Sequence, residues 1–542
     1  MYVFYLGTCV KHNFVPGNAE VVAEQKELDD LVHALGENRL LLRKSCMEGT
    51  RTTILQEIED EIKNINAPNV IWIRGLPGVG KSALAASIVN RLVDQKHHVI
   101  PFRFDRTQSR VTTNALWRTV ACDLARLFPS LRQHLAQGVQ GYNSSDIDRL
   151  FKLLIEVPLS TLVDAIPREE LPVILIDVLD ECGGLRHAAS EEEDFQGLLY
   201  TLKRWTQVDH LKRFKLVTTS RPEDCISQTF PKSISVHIAI PSGSDVKLGD
   251  SASQDIHAFL KSCLENMGMK NKLIKKALDF LVPRAAGIFI WATTAANFLK
   301  LDPEGRYAML EKGDGKGLKG LYPLYSTIAR ASFGHDLEEE EIGAVASVIG
   351  AMIFAKKPLD DNVLIPLPQV KIPDSDVSRL GLIRKGLASV IDSGPILHFH
   401  HRSFEDFLLS KFFLQELLEF STVQDRGLHE RQLAMLCLKT LVSSKLHFNM
   451  CNLESSIIKN VDIPPTVKSI ISPLISYSSL FWADHIIQTP SDEKMMKAMK
   501  FVMYEKLLFW LEVMSLTGNV YEAYLILKKA LSWKVCLWVI SL

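Results

Sequence analysis

Apolar positions along this 542-residue chain change period twice. In 20–66, Leu28, Leu31, Val32 and Leu35 recur at three- and four-residue spacing, and Ile54, Ile58 and Ile62 every four residues. That is the helical period, and Asn66-Ala67-Pro68-Asn69 interrupts it. From Val70 to about residue 240, short apolar runs alternate with helical stretches, which predicts a parallel α/β sheet. The runs are Val70–Ile73, Val99–Phe104, Val173–Ile176, Phe214–Thr218 and Ser233–Ile240. Val173–Ile176 is continuously apolar, as a strand buried on both faces should be. In the last run Ile234, Val236, Ile238 and Ile240 alternate with polar or small residues, which predicts a half-exposed strand.

Pro241-Ser242-Gly243-Ser244-Asp245 reads as a linker whose polar character continues to Gln254, and the pattern after it is helical. Gly313-Asp314-Gly315-Lys316-Gly317 and the stretch Pro358 to Pro373, with Pro366 and Pro368, are further breaks. The acidic run Glu338 to Glu341 suits a solvated helix N-terminus. No repeat with a period of 20–50 residues is present.

Composition narrows the classes. Hydrophobic residues make up 47% and charged residues 23%, an ordinary globular balance. The net charge is 62 − 63 = −1, so no global field draws in nucleic acid or an acidic membrane. The nine cysteines form no C-x-x-C pair, which points to reduced thiols and a cytoplasmic protein. Met1–Leu6 is apolar but short and lacks a basic flank, so it does not read as a signal peptide. The apolar end Val535–Leu542 is far below the ~20 residues a bilayer span needs, and reads as a truncated core helix. Neither nucleic acid nor membrane is an expected partner.

The chemistry begins at Gly75-Leu76-Pro77-Gly78-Val79-Gly80-Lys81-Ser82, an ungapped match to the phosphate-loop (Walker A) pattern G-x-x-x-x-G-K-[ST]. An apolar strand precedes it, and a helix follows with Leu84, Ile88 and Leu92 at four-residue spacing. This arrangement curls backbone N–H groups around a phosphate at a helix N-terminus. Lys81 would reach the β- and γ-phosphates of ATP or ADP, and the Ser82 hydroxyl would ligate Mg²⁺.

A Mg²⁺-nucleotide site also needs a carboxylate at the end of a neighbouring buried strand. Asp177, after Val173–Ile176, supplies it. Asp180 or Glu181, three and four residues on, could position or activate an attacking water. Phe214–Thr218 leads into Thr219-Ser220-Arg221-Pro222, where Arg221 could sense the γ-phosphate or stabilise transferred charge. No G-x-S-x-G or H-E-x-x-H occurs, and Lys96-His97-His98 reads as a loop.

With these elements in order, the chain resembles the NACHT family of STAND-type P-loop ATPases, above all the large fungal NACHT proteins often followed by WD repeats. The resemblance covers roughly residues 40–530. Cys46-Met47-Glu48-Gly49-Thr50-Arg51 is similar to the segment just upstream of the family's phosphate-loop strand. Asp177-Val178-Leu179-Asp180-Glu181-Cys182 resembles its acidic motif, with Val178 where a small residue is usual. Thr219-Ser220-Arg221-Pro222-Glu223 resembles its sensor segment, and Ala286-Gly287-Ile288-Phe289-Ile290-Trp291-Ala292 the helical segment of the fungal branch. Many relatives outside that branch have an adenine-contacting proline at the place of Phe289, so that contact does not transfer. Phe399-His400-His401-Arg402-Ser403-Phe404-Glu405-Asp406-Phe407 resembles the winged-helix motif, whose histidine, here His401, contacts the β-phosphate of ADP. Ser403-x-x-Asp406 looks like a capping box, with Phe404 and Phe407 as core. Leu446–Cys451 and Phe481–His485 also look like the family's helical region and read as packing.

The resemblance implies an α/β P-loop NTPase domain followed by mostly helical and winged-helix domains. The expected divisions are a helical segment at 1–66, the NTPase domain at 67–245, a helical domain at 246–318, a winged-helix-like domain at 319–415 and a helical region at 416–542. It implies a signal-transducing switch that binds ATP/ADP with Mg²⁺, hydrolyses ATP slowly and forms homo-oligomers on activation. The alternatives are a nucleotide-binding scaffold or truncated gene product without turnover, or a P-loop metabolic kinase. The helical second half suggests no acceptor-substrate pocket, which counts against the kinase.

Overall fold

The computed structural model describes residues 31–32, 44–104, 113–139, 146–163, 165–182, 189–242, 246–247, 250–313, 320–333, 339–367, 379–392, 394, 396–455, 458, 460, 463, 469–490 and 492–540. The chain divides into two compact units, Met1–Ala296 and Asn297–Leu542. Most of the helix expected from residue 20 lies outside the described residues, as does most of the glycine-rich break after Gly313.

The first unit is built on five parallel strands, β1 (Val70–Arg74), β2 (Val99–Arg103), β3 (Val173–Asp177), β4 (Leu216–Ser220) and β5 (Ser235–Ala239). Their order is β2-β3-β4-β1-β5. Because successive side chains alternate across a strand, each strand feeds two cores. Val70, Trp72, Ile100, Phe102, Ile174, Ile176 and Leu216 face one side and pack with Trp117, Phe151 and Trp205 from helices beside the sheet. Ile71, Ile73, Val99, Val173, Leu175, Val217 and Ile238 face the other, against α1 (Thr52–Lys63) and α2 (Lys81–Asp94). The period-four isoleucines explain α1: Ile58 and Ile62 are buried on this second face. A fully buried large apolar side chain contributes about 1.5–3 kcal/mol, so this double-sided core stabilises the sheet from both faces.

Three expectations need correction here. First, β3 is not the neighbour of β1, because β4 lies between them. Second, β4 runs two residues later than the apolar run suggested, so Thr219 and Ser220 belong to the strand. Its last residues are polar yet buried: Thr219 bonds Asp177 on β3, and Ser220 accepts from Trp72 on β1. Third, the polar stretch to Gln254 is not all linker: a helix starts at Ser251, and Asp250 accepts from the Lys247 N–H at 2.7 Å in the turn before it. β5 is an edge strand and partly exposed, as its alternation predicts.

The second unit is mainly helical, with a short antiparallel pair formed by Leu359–Asp360 and Ile396–Leu397. Glu339, Glu340 and Glu341 occupy the first turn of the helix Glu339–Phe354, where acids suit the helix dipole. Phe404 and Phe407 are core residues, packed with Tyr322, Tyr325, Phe399 and Phe413. The capping box is corrected: the N-cap of helix Arg402–Leu408 is His401, and Ser403 lies inside the helix. Phe481, Trp482 and His485 are buried, and His485 bonds Glu430 and Tyr477. Phe448 does not pack, being 73% exposed, although Leu446, Met450 and Cys451 around it are buried.

Candidate phosphate and metal site

All five strands are parallel, so the segments leaving their C-terminal ends emerge on one side of the sheet. The loop Gly75–Gly80 follows β1 and runs directly into α2. Two glycines in it need their freedom: Gly78 has φ +79° and Gly80 has φ +98°, a region L side chains rarely adopt. A Cβ on Gly78 would stand 2.0 Å from Ile290 Cγ2, whereas one on Gly80 would meet nothing within 4 Å. The open space at the α2 N-cap suits an anion.

Lys81, the first residue of α2, folds its ammonium back over the loop and donates to Gly75 O (2.8 Å) and Leu76 O (3.1 Å). Burial pulls its pKa below the usual lysine range, against the opposing pull of Asp180, while Arg221 adds to the depression. A phosphate there would restore the balance that burial disturbs.

Asp177 ends β3, wholly buried, opposite Arg103 of β2. Thr219 Oγ1 of β4 donates to Asp177 Oδ1 at 2.6 Å and accepts from the Val178 N–H at 2.9 Å. Arg103 Nε stands 3.8 Å from Asp177 Oδ2. Val178 is in the left-handed region at φ 60°, ψ 52°, uncommon for a β-branched residue. A smaller residue would adopt that conformation at less cost, and the turn Leu179–Glu181 follows directly. Asp180 is buried and holds Arg221 twice: its Oδ1 accepts from the Arg221 N–H at 3.1 Å, and Oδ2 lies 3.3 Å from Arg221 Nε. Glu181 is only partly buried. Trp72 donates to Ser220 Oγ at 2.7 Å and so ties β4 to β1 beside the loop.

The segment 286–292 also reaches the loop, the Ile290 N–H donating to Gly78 O at 2.9 Å. Arg51, left-handed at φ 58° and 5% exposed, donates through Nη2 to Val79 O at 2.9 Å. Its guanidinium lies 4.7 Å from the Phe289 ring centroid and 3.9 Å from Asp255 Oδ2. Phe289 thus packs beneath an arginine.

The fold brings Gly75–Ser82, Asp177, Asp180, Glu181 and Arg221 to one end of the sheet. Thr219, Arg103 and Arg51 join them there without a role expected from the sequence, though Thr219 and Arg51 stand in motifs quoted above. His401 belongs to the second unit. There its Nδ1 accepts from the Ser403 N–H at 3.0 Å, which places the proton of the neutral ring on Nε2. Among the described residues, no cluster of three or more His, Cys, Asp or Glu could hold a metal by itself, and no helix is long and apolar enough to cross a membrane.

The fold and this site define an α/β P-loop NTPase domain followed by helical domains. Residues 49–221, from just before α1 to Arg221, match the family model described as Nephrocystin 3, N-terminal. No curated protein matches the chain. Similar solved structures include a Signal Transduction ATPase with Numerous Domains (STAND) protein with a tetratricopeptide repeat sensor from Pyrococcus horikoshii. It is 16% identical with a TM-score of 0.38, over 92% of this chain and 65% of that one. This chain thus spans less than two thirds of that protein's length. A Walker-type ATPase of Pyrococcus abyssi is 14% identical, with a TM-score of 0.32, over 68% of this chain and 99% of that one. Cdc6p from Pyrobaculum aerophilum is 11% identical, with a TM-score of 0.30, over 73% and 98%. All three TM-scores are below 0.5.

Proposed function

We propose that this protein is a nucleotide-driven switch of the NACHT/STAND kind, similar to those of fungi. It would bind ADP or ATP with Mg²⁺, hydrolyse ATP slowly and couple exchange to self-association in the cytoplasm. The observation that carries this reading is the convergence of the Gly75–Ser82 loop and the Thr219-held carboxylate of Asp177 at one end of the sheet.

The donor set fits the ligand: loop amides at a helix N-terminus for phosphate, and hard oxygens from Ser82 and Asp177 for Mg²⁺. The metal, when bound, supplies charge neutralisation on the β- and γ-phosphates. Lys81 would exchange its two carbonyl acceptors for phosphate oxygens. Asp180 holds Arg221 and would position that arginine, and Glu181, beside it in the same turn, would orient the attacking water. His401, with its proton on Nε2, has the donor that the family resemblance assigns to the β-phosphate of ADP.

A contact present in one state shifts a two-state equilibrium only by its differential free energy. A charge-assisted hydrogen bond from His401 would be worth about 1.5–3 kcal/mol, so losing it should raise the open fraction roughly tenfold or more. The experiment is the ADP release rate, with light scattering, for His401→Leu and His400→Leu. Faster release and more self-association in His401→Leu alone support the switch. Unchanged release in both variants, with ADP still bound, leaves a nucleotide-binding scaffold.

A further inference from the structure

The phosphate loop is held from outside by two groups remote in sequence. The Ile290 N–H engages Gly78 O, and Arg51 Nη2 engages Val79 O, each at 2.9 Å. No peptide bond among the described residues is cis. In a planar trans peptide, the C=O of one residue and the N–H of the next point in opposite directions. Fixing Gly78 O therefore aims the Val79 N–H away from Ile290, and fixing Val79 O aims the Gly80 N–H away from Arg51. Two donors of the cradle are oriented before any ligand arrives, which lowers the ordering cost of binding.

Arg51 is built for this task. The turn before it is closed by Thr50, whose N–H and hydroxyl both donate to Met47 O at 3.1 and 2.7 Å. Its guanidinium is nearly buried, packs on Phe289, and has its charge balanced by Asp255 on the helix Ser251–Asn266. Burial raises the Asp255 carboxyl, an opposing sign that Arg51 counters. Only a planar, multi-donor side chain can stack on a ring, face a carboxylate and donate to a carbonyl at once.

We infer that Arg51 is a positioning residue for phosphate recognition, which makes the loop's grip on the β-phosphate of a nucleoside diphosphate depend on Asp255 and on segment 286–292. This rests on the nucleotide reading of the same site, and deepens it. Arg51 does not touch the nucleotide itself. It acts through Val79 O.

The test measures ADP and AMP affinity by calorimetry, with Mg²⁺, for the full chain and for Arg51→Met, Arg51→Lys and Asp255→Asn. Hydrogen exchange at Val79 and Gly80 is followed without nucleotide. Arg51→Met should lose about tenfold or more in ADP affinity while AMP changes little, since AMP lacks the β-phosphate. Arg51→Lys and Asp255→Asn should fall between, and exchange at Val79 and Gly80 should accelerate in all three. An unchanged ADP-to-AMP ratio in Arg51→Met overturns the proposal and leaves the nucleotide reading standing. If ADP and AMP affinity fall together, in Arg51→Lys as well, Arg51 is merely structural and the proposal also fails. If the unmodified chain binds neither nucleotide, the nucleotide reading itself fails and the proposal with it.

Discussion

Thr219 donates its hydroxyl proton to Asp177 Oδ1 at 2.6 Å, from a strand that separates Asp177 from the phosphate loop's own strand. The same hydroxyl accepts from the Val178 N–H, so one side chain fixes both the carboxylate and the turn after it. Thr219→Val keeps the shape and removes both bonds. A lost hydrogen bond to a charged group costs about 1.5–3 kcal/mol, and here it frees the carboxylate to turn. The gain in ADP affinity on adding Mg²⁺ should shrink by roughly tenfold or more. Calorimetry with and without Mg²⁺ checks it, and an unchanged gain would remove Thr219 from the metal site.

Val178 stores strain. A non-glycine residue in the left-handed region costs about 1–2 kcal/mol, and Val178 is β-branched. Glycine lacks that cost but loses more chain entropy, about 0.5–1 kcal/mol relative to alanine. Val178→Gly should therefore be neutral or raise the first thermal transition slightly, although valine-to-glycine changes ordinarily destabilise. A clear fall in that transition would contradict the strain.

Asp180 and Arg221 should behave as one unit, because the carboxylate takes both the backbone N–H and the side chain of Arg221. In single-turnover ATP hydrolysis, Asp180→Asn and Arg221→Met should each slow the reaction, and the double variant should be no slower than the worse single. Contacting groups couple by about 0.5–3 kcal/mol in such cycles. Strictly additive losses would mean that the pair does not act together. Glu181→Gln should bind ATP normally and turn it over more slowly. Wild-type turnover would leave Glu181 without a role.

At the opposite end of β4, Lys215 donates to Asn64 O (2.8 Å) and Glu61 O (3.0 Å) at the C-terminus of α1. Burial lowers its pKa to about 8, against about 10.4 for an unfolded lysine. Between these values the unfolded chain holds more protons, so stability rises with pH across that window. The cost of the buried charge is present below pH 8 and is released above it. Relative to Lys215→Met, the parent chain should gain stability from about pH 8 to 10, read as a rise in the parent's first unfolding transition minus that of the variant. A difference that falls over that range would contradict the assignment.

What the sequence revealed follows the distance over which each feature is encoded. The strand, loop and helix from Val70 to Asp94 are contiguous, so composition and spacing show them together. Asp177 was visible because a strand buried on both faces must be continuously apolar. Its bond to Thr219 was not, because strand order is set by packing and the apolar run ends before Thr219. Arg51 stood in a recognisable segment, but its partners Val79, Asp255 and Phe289 meet only in the folded unit. The sequence points to Ser403 as the cap rather than His401, because a ring nitrogen accepting an N–H bond leaves no compositional trace.

In the proposed switch, Gly75–Ser82 binds the phosphates of ADP and ATP through a helix N-terminus and Lys81. Lys81→Ala removes the one cation of that loop, and a charge-assisted phosphate contact is worth about 1.5–3 kcal/mol. Calorimetric titration of ADP and ATP into the parent chain and this variant should show a loss of roughly tenfold to a hundredfold. Equal affinity in the two proteins would contradict the account.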